Sequence, residues 1–285
     1  MCWSRAAITI STTTTAGCAT ATASRWTNGG SFLPGGRRGR LMSDFLLIHG
    51  AWHGAWCWVK LVPELERAGH RVKVTNLPGH DDAVVDPAAI HLSTYAEHVA
   101  GLLDECAEPV ILAGHSMGGM VITQAAELRP DRIKALVYLA AFLPLNGESL
   151  LAIENSNKWS SVPQNLVPDA AGLTGRIRPS QVPRLFYRDC SEEDVRFAME
   201  RLVPEPLPPL ADPVAITAEN FGTVPRYYIE CFEDEAIVIE QQRKMREATP
   251  CAKVFTLKTS HSPFFSAPGE LAETLGEIGR LTHPR

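Results

Sequence analysis

Residues 111–120, ILAGHSMGGM, decide the fold class of this 285-residue chain. The apolar residues before Ser116 predict a buried strand, and residues 117–129 predict a helix that stops before Pro130. Between them lies Gly-x-Ser-x-Gly, whose glycines let the helix pass close to the strand in a sharp turn called a nucleophile elbow. We therefore expect Ser116 to be a nucleophile. The alternative is a glycine-rich turn with an incidental serine.

The rest of the chain alternates between strand and helix signals. Apolar runs of strand length occur at residues 45–49, 71–75, 109–114, 133–142, 226–232 and 252–257. Helical patterns lie at residues 56–68, 93–106, 117–129, 239–248 and 268–280. Continuous apolar runs are typical of strands buried on both faces of a parallel sheet. The sequence therefore predicts an α/β fold with a doubly wound, mainly parallel sheet.

Two segments depart from this alternation. Residues 1–43 combine a Ser/Thr-rich tract with a Gly/Arg-rich stretch, a composition that cannot build a core. We interpret them as a disordered or mis-annotated extension ahead of a true start at Met42, or else as a targeting segment. Residues 143–220 are proline-rich and too long for an ordinary loop. We predict that they form a mostly helical lid insertion within a domain spanning residues 44–285.

The charge, hydropathy and cysteine content exclude several classes of protein. The net charge is -5, but residues 1–43 carry five Arg and no acid, so the remainder has 22 basic and 32 acidic residues. An acidic body argues against a nucleic-acid partner, because phosphate binding needs a basic face. No apolar run reaches the roughly 18 residues that a membrane span needs. The seven Cys form no C-x-x-C pair, which favours reduced thiols and a cytoplasmic location.

Two further residues are candidates to complete a catalytic apparatus around Ser116. A serine hydroxyl is a weak nucleophile unless a base takes its proton. His261, just after the last predicted strand, is the candidate base; the alternative is a loop histidine with a structural hydrogen bond. Asp234, where the fifth predicted strand ends, is the candidate acid, since an aspartate suits a tight hydrogen bond to imidazole. Glu233 and Glu235 are its rivals. The chain order of serine, acid and histidine is one found with a nucleophile elbow.

The loop after the first strand is expected to complete an oxyanion hole. There Gly50 lets the chain turn sharply, so the N–H of Ala51 faces the site, while the N–H of Met117 comes from the start of the helix after Ser116. His49 and His53 are four residues apart, but the stretch lacks the acid of H-E-x-x-H and lies on a loop. We therefore expect no metal site, and we expect His49 to brace the loop by hydrogen bonds.

Five stretches in chain order carry a resemblance to a known family: FLLIHGAWHGAWCW, TNLPGH, ILAGHSMGGM, PRYYIECFEDEAI and SHSPFFSAPGELAETL. Together they resemble the α/β-hydrolase superfamily, in the branch of plant methylesterases, hydroxynitrile lyases and bacterial pyrethroid hydrolases. The resemblance covers residues 44–280 and is weaker in the lid. It implies the α/β-hydrolase fold, and it implies these site residues: Ser116 as nucleophile, Asp234 as acid, His261 as base, and Ala51 and Met117 as oxyanion donors.

The resemblance also bears on the choice between activities. The acid-strand motif is similar to that of pyrethroid hydrolases, which favours Asp234 over Glu233. Well-known hydroxynitrile lyases of this branch carry Thr and Lys where this chain has Gly50 and Ser262. Without that lysine, a positive charge suited to leaving cyanide is missing, so the lyase interpretation is weakened.

These observations predict a carboxylesterase that acts on a small to medium apolar or aromatic ester through an acyl-enzyme, without a metal or organic cofactor. One alternative is hydroxynitrile lyase-type C–C cleavage on the same scaffold. Another is a hydrolase-like ligand receptor, which would bind tightly without turnover. The sequence leaves the oligomeric state open, with a homodimer as one possibility.

Overall fold

A six-stranded parallel sheet organises the fold. The computed structural model describes residues 42–81, 83, 85–157 and 160–282. The strands of this sheet, in chain order, are β1 (Asp44–Ile48), β2 (Arg71–Val74), β3 (Val110–His115), β4 (Ile133–Leu139), β8 (Arg226–Cys231) and β9 (Lys253–Leu257). Their spatial order is β2-β1-β3-β4-β8-β9, and every neighbouring pair is parallel. The predicted doubly wound sheet is confirmed, because each of the six apolar runs forms one of these strands.

Helices connect the strands and cover the sheet. The α-helices are α1 (Leu61–Arg67), α2 (Leu92–Asp104), α3 (Gly118–Leu128), α4 (Leu150–Asn155), α5 (Val162–Asn165), α6 (Val182–Tyr187), α7 (Glu192–Met199), α8 (Pro208–Ala211), α9 (Ile239–Ala248), α10 (Pro263–Ser266) and α11 (Pro268–Leu281). Short 3-10 helices occur at Ala55–Val59, Pro87–Ala89, Pro130–Arg132, Pro179–Gln181 and Phe221–Thr223. Side chains of the central strands are fully buried, as apolar runs require when helices pack on both faces.

Two predicted boundaries differ from the structure. The helix predicted at residues 56–68 is a 3-10 helix followed by α1, whose Pro63 lies in the first turn, where no intrahelical N–H donor is needed. The strand predicted at residues 133–142 ends at Leu139. After it, Ala140 takes a φ of +41°, and the N–H of Phe142 donates to Ser116 O (3.1 Å). The chain therefore leaves the sheet because it turns back to hold the loop around Ser116.

Residues 143–220, called the insertion below, connect β4 to β8. They contain α4 to α8, together with a three-stranded antiparallel sheet of β5 (Leu166–Pro168), β6 (Thr174–Ile177) and β7 (Glu205–Pro206). The sequence did not predict this small sheet, because strands of two to four residues are too short for a periodic signal. The insertion packs over the carboxyl ends of the parallel strands, where Phe186 of α6 stacks on Trp52 with ring centroids 5.6 Å apart.

The predictions for the N-terminal extension fall on residues 1–41, which lie outside the described residues. Within the described part of the chain, no helix combines the length and apolar character that crossing a bilayer requires.

Candidate active site

The turn between β3 and α3 puts Ser116 in a strained backbone conformation. Its φ is +54°, a region that residues with a side chain seldom adopt. The N–H of Ser116 donates to Leu139 O (3.3 Å), and Ser116 O accepts from the N–H groups of Gly119 (3.0 Å) and Phe142 (3.1 Å). Hydrogen bonds to the end of β4 and to the residue Phe142 beyond it therefore hold the backbone of Ser116 in this turn.

The glycines around Ser116 are required by close backbone contacts. A Cβ at Gly119 would lie 2.1 Å from Phe142 O, and one at Gly114 would lie 2.5 Å from Gly118 O. A Cβ at Gly50, on the opposing loop, would lie 2.8 Å from Ser116 Cβ. Each distance is shorter than van der Waals contact allows, so any larger residue would move the turn.

His261 and Asp234 are hydrogen-bonded to each other in the buried interior. His261 Nδ1 donates to Asp234 Oδ2 over 2.7 Å, and both side chains are almost fully buried. Asp234 Oδ1 accepts from the N–H groups of Ala236 (2.7 Å) and Ile237 (2.9 Å), so the carboxylate is held in one orientation. With the Nδ1 proton committed to Asp234, Nε2 of His261 is the nitrogen that can accept a proton.

The two glutamates that flank Asp234 make ion pairs at the surface. Glu233 pairs with Arg188 (3.0 Å), and Glu235 pairs with Arg184 (2.6 Å). Of the three neighbouring acids, the structure therefore brings Asp234 to His261 and directs both rivals to arginines in or beside α6.

The loop after β1 brings Ala51 to the same cavity as Ser116 and Met117. Among the described residues, the backbone N–H groups of Ala51 and Met117 have no hydrogen-bond partner, so both donors are available. His49 braces this loop, as the sequence predicted: its Nδ1 donates to Gly50 O (2.8 Å), and its Nε2 accepts from the N–H of Leu77 (3.0 Å).

Three buried histidines next to the site are held neutral. Burial is the largest reason that the pKa of His53 falls to about 3, and burial likewise holds the pKa values of His49 and His115 well below their ordinary value. His53 Nδ1 donates to Ala51 O (2.7 Å), while its Nε2 accepts from the hydroxyl of Tyr187 (2.6 Å). In the described part of the chain, no group of three or more His, Cys, Asp or Glu is arranged to hold a metal ion.

His115, which directly precedes Ser116, also supports the loop of His261. Its Nε2 donates to His261 O over 2.8 Å. The turn that carries the serine and the loop that carries the histidine are therefore tied together by one side chain.

Sequence reasoning missed a buried charge network that holds the loop after Ala51. Glu205, on β7 of the insertion, accepts from the N–H of Trp52 (2.9 Å) and the hydroxyl of Tyr95 (3.1 Å), and lies 3.2 Å from His80 Nε2. Burial alone would lower the pKa of His80, but the charge and hydrogen bond of Glu205 outweigh it and raise that pKa. Trp52 itself has a φ of +63°, so the network holds a second strained residue.

No local signal could have revealed Glu205 as a partner of this loop. It lies more than 100 residues away in a proline-rich segment, and nothing around it marks a buried carboxylate. His80, on the turn after β2, is the basic side chain that lies beside this carboxylate.

The cavity beside Ser116 is partly open to solvent, spans about 620 Å³ including that opening, and has a mainly apolar wall. Residues of the insertion and of the loops that carry the site line it: Ala51, Trp52, Ser116, Met117, Phe142, Leu150, Leu151, Glu154, Val162, Pro163, Leu166, Phe186, Leu210, Ala236 and Ile237. Such a space accommodates a small apolar molecule next to the serine hydroxyl.

Comparisons with known proteins agree with this geometry. The model of the alpha/beta hydrolase family matches residues 45–274. The putative chloroplastic methylesterase 11 of Arabidopsis thaliana is 33% identical over 84% of this chain and 65% of its own length. The chain spans only 56% to 65% of the chloroplastic methylesterases 11, 13 and 15 of that plant.

Solved structures give the same result for the fold. A pyrethroid hydrolase from Sphingobium faniae JZ-2 is 27% identical with a TM-score of 0.75, over 84% of this chain and 98% of that one. Polyneuridine aldehyde esterase is 28% identical with a TM-score of 0.73, over 83% of this chain and 99% of that one. The resemblance predicted from the five sequence stretches is therefore confirmed.

Proposed function

The chain belongs to the alpha/beta hydrolase family, and we propose that it is a serine carboxylesterase for small to medium apolar or aromatic esters. Its similarity to methylesterases and to polyneuridine aldehyde esterase supports action on ester bonds. The observation that carries the proposal is the buried His261–Asp234 hydrogen bond of 2.7 Å, on a chain whose Ser116 occupies a strained elbow.

In the proposed mechanism, Ser116 Oγ attacks the ester carbonyl carbon while His261 Nε2 takes its proton. The N–H groups of Ala51 and Met117 stabilise the oxyanion of the tetrahedral intermediate. That intermediate collapses by breaking the bond to the leaving alcohol, which receives the proton from His261. Water activated by the same His261 then attacks the acyl-enzyme and releases the acid, which restores the Ser116 hydroxyl. Asp234 keeps the imidazole in the tautomer that both proton transfers need.

The proposed substrate range follows from the cavity. Its wall offers little polar surface, so an apolar acyl or alcohol group gains free energy by leaving water there. Residues 143–220 act in this proposal as a lid, because they supply most of that wall. No metal or organic cofactor enters the proposed steps.

The test is hydrolysis of p-nitrophenyl esters of increasing acyl length by the purified protein and by Ser116→Ala. We expect turnover of the shorter esters, a loss of about 10⁴-fold or more in Ser116→Ala, and no loss in the matched control Ser93→Ala, an exposed position on α2. Mass spectrometry after treatment with a sulfonyl fluoride should find the label on the peptide that contains Ser116. The proposal fails if the wild type is inactive at every acyl length or if Ser116→Ala keeps its activity.

Two other assays separate this proposal from its alternatives. Cyanide release from mandelonitrile without ester turnover would identify a lyase, and tight binding of a small apolar ligand without turnover would identify a receptor. The cytoplasmic location, and the targeting alternative for residues 1–43, stay predictions that mass spectrometry of the native N-terminus would test.

A further inference from the structure

The cavity next to Ser116 contains a second polar side chain, Glu154 of α4. The cavity wall is otherwise apolar apart from Ser116, since the indole N–H of Trp52 already donates to Gly175 O (3.0 Å). Glu154 is therefore the one ionisable group among the described lining residues, in the same cavity as the proposed nucleophile.

One of the two carboxyl oxygens of Glu154 is buried without a hydrogen-bond partner. The residue is only 4% exposed, and its Oε2 has no hydrogen-bond partner among the described residues. A buried carboxyl without a partner is costly, which is why such groups are normally paired. Burial raises the pKa of Glu154 to about 7, with a further rise from the charge of Asp234, while Ser160 and His261 act in the opposite direction.

Within the fold, the carboxyl group of Glu154 makes a hydrogen bond with Ser160, and this contact leaves Oε2 free. The helix that carries it is capped by Ser149, whose hydroxyl accepts from the N–H of Ala152 (3.1 Å). Glu154 forms no ion pair with a described cation. A leucine of similar length would fit the apolar wall at lower cost, so this position favours a polar group for a reason other than packing.

We propose that Glu154 is the specificity-determining group of this site and that it binds a hydrogen-bond donor on an otherwise apolar ester, most strongly a protonated amine. The donor would occupy the free position at Oε2, while the apolar part of the ligand contacts the rest of the wall. This inference rests on the proposed esterase function only in taking the ligand to be an ester. Recognition of the donor group itself needs no turnover.

The test uses two isosteric probes, benzylamine and ethylbenzene, which differ by an ammonium in place of a methyl group. Each is tested as a competitive inhibitor of p-nitrophenyl butyrate hydrolysis, one pH unit above the Glu154 pKa of about 7, where the carboxyl is ionised. We expect wild type to bind benzylamine about 10- to 100-fold more tightly than ethylbenzene, the range for a hydrogen bond between charged groups.

Glu154→Leu should abolish this preference, and Glu154→Gln should reduce it while keeping the shape of the side chain. The matched control Glu192→Gln changes an exposed glutamate of α7 outside the cavity and should leave the preference unchanged. The proposal is overturned if wild type shows no preference for the amine, or if Glu154→Leu keeps it. Thermal unfolding verifies that each variant is folded.

The outcome is independent of whether the esterase proposal succeeds. If wild type hydrolyses no ester, binding of both probes is measured by calorimetry. A preference lost in Glu154→Leu then supports the donor site even though the esterase function fails. Ester turnover with equal binding of both probes refutes the donor site alone.

Discussion

Replacing Glu205 by leucine tests whether the insertion holds the loop that carries the proposed oxyanion donor. The change removes a carboxylate that accepts from the N–H of Trp52 (2.9 Å) and the hydroxyl of Tyr95 (3.1 Å) and lies 3.2 Å from His80 Nε2. Both His80 and Glu205 have fully buried side chains, so water cannot replace what is lost.

The expected loss in the free energy of unfolding is about 3–5 kcal/mol. At 3.2 Å and an effective dielectric constant of about 20, the charge attraction is roughly 5 kcal/mol, and removing one member of a buried pair costs about 3–5 kcal/mol. His80 limits the loss because it can release its proton once Glu205 is gone. The freed N–H of Trp52 and hydroxyl of Tyr95 increase it again.

The pH dependence of stability gives the second signature of this pair. The folded-state pKa of His80 is raised, so its stabilising contribution is fully present below the unfolded value of about 6.5 and is lost as the pH rises through the folded pKa. Wild type should therefore lose the contribution of this pair as the pH rises above about 6.5, whereas Glu205→Leu should lack that component.

Urea unfolding, followed by tryptophan fluorescence, measures both effects in wild type, Glu205→Leu, His80→Gln and the double variant. We expect a coupling energy of about 1–3 kcal/mol between the two positions. We also expect kcat to fall by up to on the order of 10²-fold, with a smaller change in KM. The reason is that the N–H of Trp52 loses its acceptor Glu205, so the neighbouring N–H of Ala51 is held less firmly. A loss below about 1 kcal/mol for Glu205→Leu, or strict additivity in the double variant, would refute the reasoning.

Three further predictions concern the elbow, the acid and the buried histidines. Gly119→Ala should unfold the protein or cost about 3 kcal/mol or more, because its Cβ would lie 2.1 Å from a carbonyl oxygen, whereas Gly101→Ala, with open space on α2, should stabilise by up to about 1 kcal/mol; equal urea midpoints would contradict this. Asp234→Asn should lower kcat by on the order of 10⁴-fold with little change in KM, and a retained kcat in the p-nitrophenyl ester assay would remove Asp234 from the mechanism. The lowered folded-state pKa values of His53 and His115 mean that the unfolded chain binds more protons below about pH 6.5, so the urea midpoint should fall between about pH 6.5 and 5; a flat profile would show that these rings are not buried neutral.

The parallel sheet could be predicted because its signal is local. Each of its strands is a short apolar run, and each run recurs between helical patterns, so the βαβ order follows from the sequence alone. The end of β4 could not be predicted in this way. Ala140 and Phe142 are apolar like the strand before them, and only contact with the turn at Ser116 takes them out of the sheet.

The same distinction applies to the candidate site. Ser116, Asp234 and His261 follow predicted strands, and the carboxyl ends of parallel strands meet at one edge, so the pairing of Asp234 with His261 and the position of Ser116 at that edge could be expected. The rivals Glu233 and Glu235 lie beside Asp234 in sequence, and composition cannot separate them. What separates them is the position of Arg184 and Arg188 on the insertion, which no local pattern encodes.

The insertion also supplies the residues that sequence reasoning did not reach. Glu205 fixes the backbone next to Ala51, and Glu154 presents an unsatisfied carboxyl oxygen to the cavity. Both are single glutamates in short irregular elements, where burial is set by long-range packing and not by periodicity. In the proposed function, the parallel sheet therefore determines where a carbonyl is attacked, whereas the insertion determines how firmly the loop with the proposed oxyanion donor Ala51 is held and which group on the ligand is recognised. Relatives that share the sheet and differ in the insertion are accordingly expected to share the proposed chemistry and to differ in substrate.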